Sequence, residues 1–269
     1  MTFIHALYRK IFARQSCQRF NERLLHLSLH GLGILNFEND AASGEHHLIH
    51  KWLPNSIQKA NPIFFDVGAN VGLYSESILR QFPTALIHAF EPHPGNYTRF
   101  LERGFPSHRV KCHNIALGES QGSAVLYDRA DHQEGSTHAS LHEAVISQIH
   151  HQDVVAHKID VETLDDIAQR EDVQCIDFLK IDAEGHEFAV LKGAVKLLEE
   201  RRIDHIQFEF NEMNVVSRSF FWDFRQLLGN YVLYRLLPAG LLELRDDVLT
   251  TEIFAYQNIL AVAKNRCNV

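Results

Sequence analysis

Asp66, Gly68, Asn70 and Gly72 fall at alternate positions of the run Phe64-Phe65-Asp66-Val67-Gly68-Ala69-Asn70-Val71-Gly72. The run passes from an apolar segment, Ile63–Val67, into a loop and then into a helical pattern. Glycine lets the backbone turn sharply and lie against a ligand without a Cβ in the way. The helix start behind the loop offers free amide groups. A dinucleotide fingerprint needs G-x-G-x-x-G, and Asn70 stands where its middle glycine would be. A phosphate-binding P-loop needs Gly-Lys-Ser/Thr, and here Leu73 follows Gly72. What remains suits a ligand with an ammonium, a carboxylate and no phosphate: amides for the carboxylate, Asp66 for the ammonium. S-adenosylmethionine has that chemistry. A tight strand–helix turn without a ligand is the competing explanation for the loop alone.

A second strand, Leu86–Phe90, ends at Glu91, 25 residues beyond Asp66. An acid there can accept hydrogen bonds from both hydroxyls of a ribose. Asn114 and Ala116, at the end of the next strand, could line an adenine, although a plain strand-end turn explains them equally. The run Phe178-Leu179-Lys180-Ile181-Asp182-Ala183-Glu184-Gly185-His186-Glu187 puts Asp182 at a further strand end. Methyl transfer from a sulfonium is an in-line displacement, and a hydroxyl acceptor must give up its proton. Asp182, Glu184, His186 and Glu209 are the candidate catalytic groups. Glu184 and Glu187 also suit the first turn of a helix for purely structural reasons. Asp182, Glu209 and Asn211 could alternatively ligate a divalent ion that acidifies the hydroxyl. The general-base reading takes precedence, and no residue is assigned to a metal.

The elements that must position these groups read as βαβ units after Pro62. Apolar runs at Ile63–Val67, Leu86–Phe90, Val110–Ile115, Ile176–Ile181 and Ile203–Phe210 alternate with helical patterns at Leu73–Gln81, Gly95–Arg103, Thr163–Arg170 and His186–Arg201. Ala124–Tyr127 and Val154–Ile159 read as an inserted hairpin, and Asp131–Gln152 between them as a mobile loop and a substrate lid. Phe220–Leu228 reads as a helix; Tyr231–Leu236 and Asn258–Ala263 close the sheet as an antiparallel pair. The expected fold is α/β and Rossmann-like, with an N-terminal helical extension over residues 1–60 and a cofactor-binding domain over 61–269.

Taken together, Ile63–Gly72, His88–Tyr97, His113–Gly118 and Phe178–Glu187 resemble the FkbM-type methyltransferases, over roughly Ile63 to Phe210. The glycine loop is generic to class I methyltransferases, whereas D-V-G-A-N-x-G, F-E-P and K-I-D-x-E-G in this order are far more specific. The resemblance implies a mostly parallel seven-stranded sheet whose last strand is antiparallel. It also implies S-adenosylmethionine as cofactor and methylation of a hydroxyl, often on a sugar of a glycan, glycolipid or natural product. By the same resemblance Asp66, Gly68, Asn70, Gly72 and Glu91 match the cofactor positions, and Asp182 and Glu184 the active-site segment.

Composition sets outer bounds. The 269 residues are 45% apolar and 22% charged, ordinary for a folded globular chain. A net charge of -8 gives nucleic-acid binding little support, and no Asn/Asp-Pro-Pro-Tyr/Phe tetrapeptide for base methylation occurs. Eighteen histidines are scattered without metal-ligand spacing. Cys17, Cys112, Cys175 and Cys267 lie far apart, which reads as reduced thiols in a cytoplasmic protein. Neither a membrane span nor a signal peptide is legible. Arg9, Lys10, Arg14, Arg19 and Arg23 among Phe3, Ile4, Leu7, Ile11 and Phe12 read as a basic amphipathic helix. Such a helix can rest on the inner face of a membrane or pack on its own domain. Two other functions compete: a nicotinamide-dependent oxidoreductase, which Asn70 argues against, and a non-catalytic cofactor-binding scaffold.

Overall fold

The computed structural model describes residues 3–129, 139–149, 151–265 and 267. Apolar runs become strands where both faces of a sheet need covering. These are β1 (Ile63–Val67), β2 (Leu86–Phe90) and β3 (Val110–His113), then, after a small second sheet, β7 (Phe178–Ile181), β8 (His205–Phe210), β9 (Tyr231–Leu237), β10 (Gly240–Glu243) and β11 (Gln257–Ala263). They form an eight-stranded sheet in the order β10-β9-β11-β8-β7-β1-β2-β3. The pairs from β3 through β8 are parallel, and β11 runs antiparallel between β8 and β9. The seven expected strands are all present. The eighth, β10, folds back on β9 after the two-residue turn Pro238–Ala239.

Register fixes the level of the strand tips. Val67 pairs with Phe90 on β2 and with Ile181 on β7. Gly68, Glu91 and Asp182 are therefore each the first residue past its strand, at one height. Strand order reverses at β1, so a crevice opens beyond these tips, where open α/β sheets hold ligands.

The second sheet has the order β4-β6-β5, from β4 (Ala116–Leu117), β5 (Gly122–Arg129) and β6 (Val154–Glu162). The expected hairpin is its β5–β6 pair, and β4 adds a parallel third strand. Of the segment read as a mobile loop, residues 131–138 and 150 lie outside the described residues. The described part corrects that reading. Ser140 exchanges two backbone hydrogen bonds with Tyr127, and Val145–Ile149 forms a π-helical turn. Val145 and Ile146 are buried against Met213.

Two apolar clusters cover the faces of the main sheet. One joins Leu164, Ile167, Leu191 and Leu197 to Phe208 and Phe224. The other joins Leu48, Ile49, Leu53 and Ile57 of the N-terminal segment to Phe64, Phe178 and Leu260. The single helix expected over His186–Arg201 is two, Glu187–Lys192 and Val195–Glu199. Gly193 separates them, and a residue without Cβ is required there: an added Cβ would stand 2.0 Å from the Gly118 carbonyl oxygen. Helices α1 (Phe3–Phe12) and α2 (Gln18–Gly31) bury no residue. Buried Arg235 anchors the end of α2 by donating to the Leu32 carbonyl as well as to Gln257 Oε1. The expectation of four reduced thiols is corrected: Cys175 and Cys267 form a disulfide. Cys175 sits ahead of β7 and Cys267 after β11, two positions the sheet brings together across 92 residues of sequence. Cys17 and Cys112 are free thiols.

Candidate functional site

Three backbone positions shape the loop after β1. Gly68, Asn70 and Gly72 have φ of 75°, 50° and 83°, all left-handed. Asparagine is among the few non-glycine residues that tolerate this region, which gives Asn70 a conformational reason to stand where it does. A Cβ on Gly68 would lie 1.8 Å from the carbonyl oxygen of Asp182, so the tips of β1 and β7 touch there. Gly72 starts the helix Leu73–Gln81 and packs against Phe100 and Phe105.

Glu91 ties the loop to β2. Its carboxylate accepts from the backbone N–H of Asn70 and of His93, both at 2.8 Å, and the Asn96 side chain bonds to it as well. Burial pushes its pKa up to about 7. Asn114 donates to the carbonyls of Glu91 and Pro92, which holds the end of β3 to the end of β2.

A cleft of about 340 Å³ opens over these tips. Gly68, Asn70, Glu91 and Ala116 line it with the apolar residues Ile115 and Leu117. Asp182, Glu184 and His186 line it from the segment after β7. Asp66, Gly72, Asn114 and Glu209 do not. Asp66 is buried instead, accepting from Ser75 Oγ at 2.7 Å, while its Oδ1 makes no hydrogen bond and lies 3.9 Å from Lys180 Nζ. Glu209 accepts from Asn211 Nδ2. Burial, then the charges of Asp182, Glu184 and Glu45, push its carboxyl well above the usual range.

Lys180 is the group that sequence reasoning missed. It lies within β7 and lines the cleft, with Nζ 3.0 Å from Asp182 Oδ2 and 4.8 Å over the Tyr74 ring. Burial works against its charge, but Asp182, Asp66 and Glu45 outweigh it and raise the ammonium above its ordinary value. A lysine inside an apolar strand is seldom buried without partners, and that oddity was the available signal. Asp40, Glu45 and Ile49 also line the cleft, from the N-terminal segment. Tyr74 donates to Gln207, and Gln207 donates to Glu45, each at 2.7 Å. No local pattern marks Glu45, because its partner is 162 residues away.

His186 faces His142 with ring centroids 5.8 Å apart. Burial, then His142, pushes its pKa down to about 4, so the imidazole is neutral at pH 7. Glu187 turns inward and accepts from the amides of Ala183 and Gly185, closing the loop beneath Glu184. Among the described residues, no group of three or more His, Cys, Asp or Glu side chains is arranged to hold a metal ion.

A Rossmann-like sheet carrying β11 antiparallel between β8 and β9 has the strand arrangement of the class I methyltransferases. Sequence comparison gives the family: residues 66–236 match the Methyltransferase FkbM domain, and the chain belongs to that family of methyltransferases. It is 25% identical over 171 residues to 2-O-methyltransferase NoeI of Sinorhizobium fredii, covering 61% of this chain and 70% of the relative. It is 32% identical over 157 residues to methyltransferase sdnD of Sordaria araneosa, covering 50% of this chain and 61% of that protein. A solved FkbM methyltransferase from Methylobacillus flagellatus aligns at 15% identity with a TM-score of 0.46, over 83% of this chain and half (50%) of the other.

Proposed function

We propose that the protein is an S-adenosylmethionine-dependent O-methyltransferase whose acceptor is a hydroxyl of a sugar, in a glycan, glycolipid or natural product. The observation that carries this reading is the common level of three strand tips: the left-handed loop, the Glu91 carboxylate and Asp182 all meet one cleft. Its volume of about 340 Å³ lies within the range of small-molecule sites. The apolar lining of Ile115, Ala116 and Leu117 beside a buried acid suits an adenosine: rings against aliphatic side chains, ribose hydroxyls to the carboxylate. Similarity to a protein named a 2-O-methyltransferase supports a hydroxyl acceptor.

In this reading Glu91 holds the ribose, and Gly68 and Asn70 form the backbone cradle beside it. Asp66 acts at one remove, fixing the following helix through Ser75. When bound, S-adenosylmethionine supplies a methyl group on a sulfonium. Asp182, oriented by Lys180, accepts the proton of the acceptor hydroxyl. His186, neutral in the folded chain, hydrogen-bonds the same hydroxyl or its neighbour. Glu184 and Glu45 offer further acceptors to the hydroxyls of a polyol.

Calorimetry with S-adenosylhomocysteine and with NAD tests the cofactor assignment. Binding of the former, lost in Glu91→Ala, is expected; NAD binding alone would replace this reading with an oxidoreductase. Asp182→Asn is expected to fold, to bind S-adenosylhomocysteine and to lose about 10²–10⁴-fold in turnover on a sugar acceptor. Turnover near the parent level in that variant removes Asp182 from the chemistry.

A further inference from the structure

Helices α1 and α2 stand apart from the core and bury no residue. Both have an apolar stripe, and both leave it uncovered. On α1 the stripe is Phe3, Ile4, Leu7, Tyr8 and Ile11, a spacing that puts all five on one face. Phe3 is 80% exposed and Ile4 72%. On α2, Phe20, Leu24, Leu25 and Leu27 are exposed as well, Leu27 at 70%. A soluble helix with such a stripe normally turns it to the core. These two do not, yet they are built to stay together. Tyr8 donates to Asn21 Oδ1 at 2.6 Å, Asn21 Nδ2 donates to the Phe12 carbonyl, and the Phe12 and Phe20 rings stack at 5.2 Å. The hairpin is therefore a formed element, and its end is pinned to the sheet through Leu32 and Arg235.

Charge points to what covers it. Residues 3–31 hold Arg9, Lys10, Arg14, Arg19 and Arg23 against the single acid Glu22, in a chain whose net charge is -8. All the excess acid thus lies elsewhere. A second copy of the chain would set two hairpins of the same net positive charge against each other, which disfavours a symmetric contact between them. An anionic bilayer complements both features at once: acyl chains take the apolar stripe, and acidic headgroups take the Arg and Lys side chains of the same hairpin.

We propose that the α1–α2 hairpin is a docking element for an anionic membrane surface, lying in the headgroup region without crossing the bilayer. Among the described residues, no helix is long and apolar enough to cross a membrane. The inference is independent of the methyl-transfer reading, since neither helix lines the cleft.

Flotation of the full chain with phosphatidylserine/phosphatidylcholine vesicles, against phosphatidylcholine alone, tests it. Binding to the mixed vesicles is expected, weaker by about tenfold or more on the neutral ones and weakened by salt. Arg9→Gln/Lys10→Gln/Arg19→Gln/Arg23→Gln and, separately, Phe3→Ser/Ile4→Ser/Leu7→Ser should each lower partitioning by about tenfold. Both variants alter only exposed side chains, so unchanged circular dichroism and melting are expected. Light scattering of the same samples should give the same mass for parent and variants. The proposal is overturned if anionic vesicles are not bound, or if both variants bind as the parent does. It is equally overturned by a stable dimer dissolved by the Phe3/Ile4/Leu7 substitutions, or by preferential binding of RNA or DNA over vesicles.

Discussion

Glu91 serves the fold and faces the cleft at once. It holds the glycine loop through the Asn70 amide while burial raises its pKa to about 7. A hydrogen bond from a ribose hydroxyl is stronger to the ionised form. Affinity for S-adenosylhomocysteine is therefore predicted to rise as pH increases through about 7, and Glu91→Gln to flatten that dependence; calorimetry on either side of neutrality checks both. Lys180 is the complementary case. One buried ammonium answers Asp66, Asp182 and Glu45, so Lys180→Met leaves acids without a counterion. Denaturant unfolding is predicted to show a loss of about 3–5 kcal/mol, the range for breaking a buried pair. Glu91 and Asp182, at the tips of β2 and β7, are legible because each ends an apolar run. Lys180 is not legible as functional, because its neighbours make it look like one more strand residue. The place of Glu209 in β8 predicts a cleft residue, and the cleft omits it; alternation along a strand gives the face, but not whether that part of the face reaches the opening.

The elements were legible where the chain advertises them by period. β1 and β2 run Ile63–Val67 and Leu86–Phe90, as the apolar runs predict. The helix over Leu73–Gln81 likewise matches. Strand β10 escaped notice because four residues give no alternation to detect. The tight packing at Gly193 is invisible for a different cause: the residue it meets is Gly118, distant in sequence. That contact makes a prediction. Gly193→Ala must push the Gly118 strand end away, with an expected loss of about 1–3 kcal/mol read from the denaturation midpoint. Gly68→Ala is predicted to be worse, because it adds left-handed strain to a contact with the Asp182 backbone. S-adenosylhomocysteine binding should be lost in Gly68→Ala and kept in Gly193→Ala.

For the molecule as a whole, burial of titratable groups sets how stability follows pH. Glu91 and Glu187 rise from 4.5 to about 7 and about 8, so the stability they allow is present below 4.5 and lost as pH climbs through those values. His113 and His186 fall from 6.5 to about 4, so their contribution is present above 6.5 and lost as pH drops toward 4. Between about 4.5 and 6.5 these two pairs oppose each other; of these four groups, only the acids still titrate above 6.5. The melting midpoint of the ligand-free chain is predicted to decline from about pH 6.5 to 8, and Glu187→Gln to lessen that decline, by scanning calorimetry. Membership of the α/β class was readable from alternation alone. The cleft wall made by Asp40, Glu45 and Ile49 was not, since it is created only when the chain's beginning closes over β7 and β8. That wall bears on how the protein may be trimmed or recombined. The stretch matching its family, 66–236, omits both Glu45 and the interior strand β11. A chimera spliced at those borders would inherit the glycine turn yet lack one side of its chamber and the strand wedged between β8 and β9. A chimera that keeps this cleft whole therefore needs the upstream segment grafted together with the core.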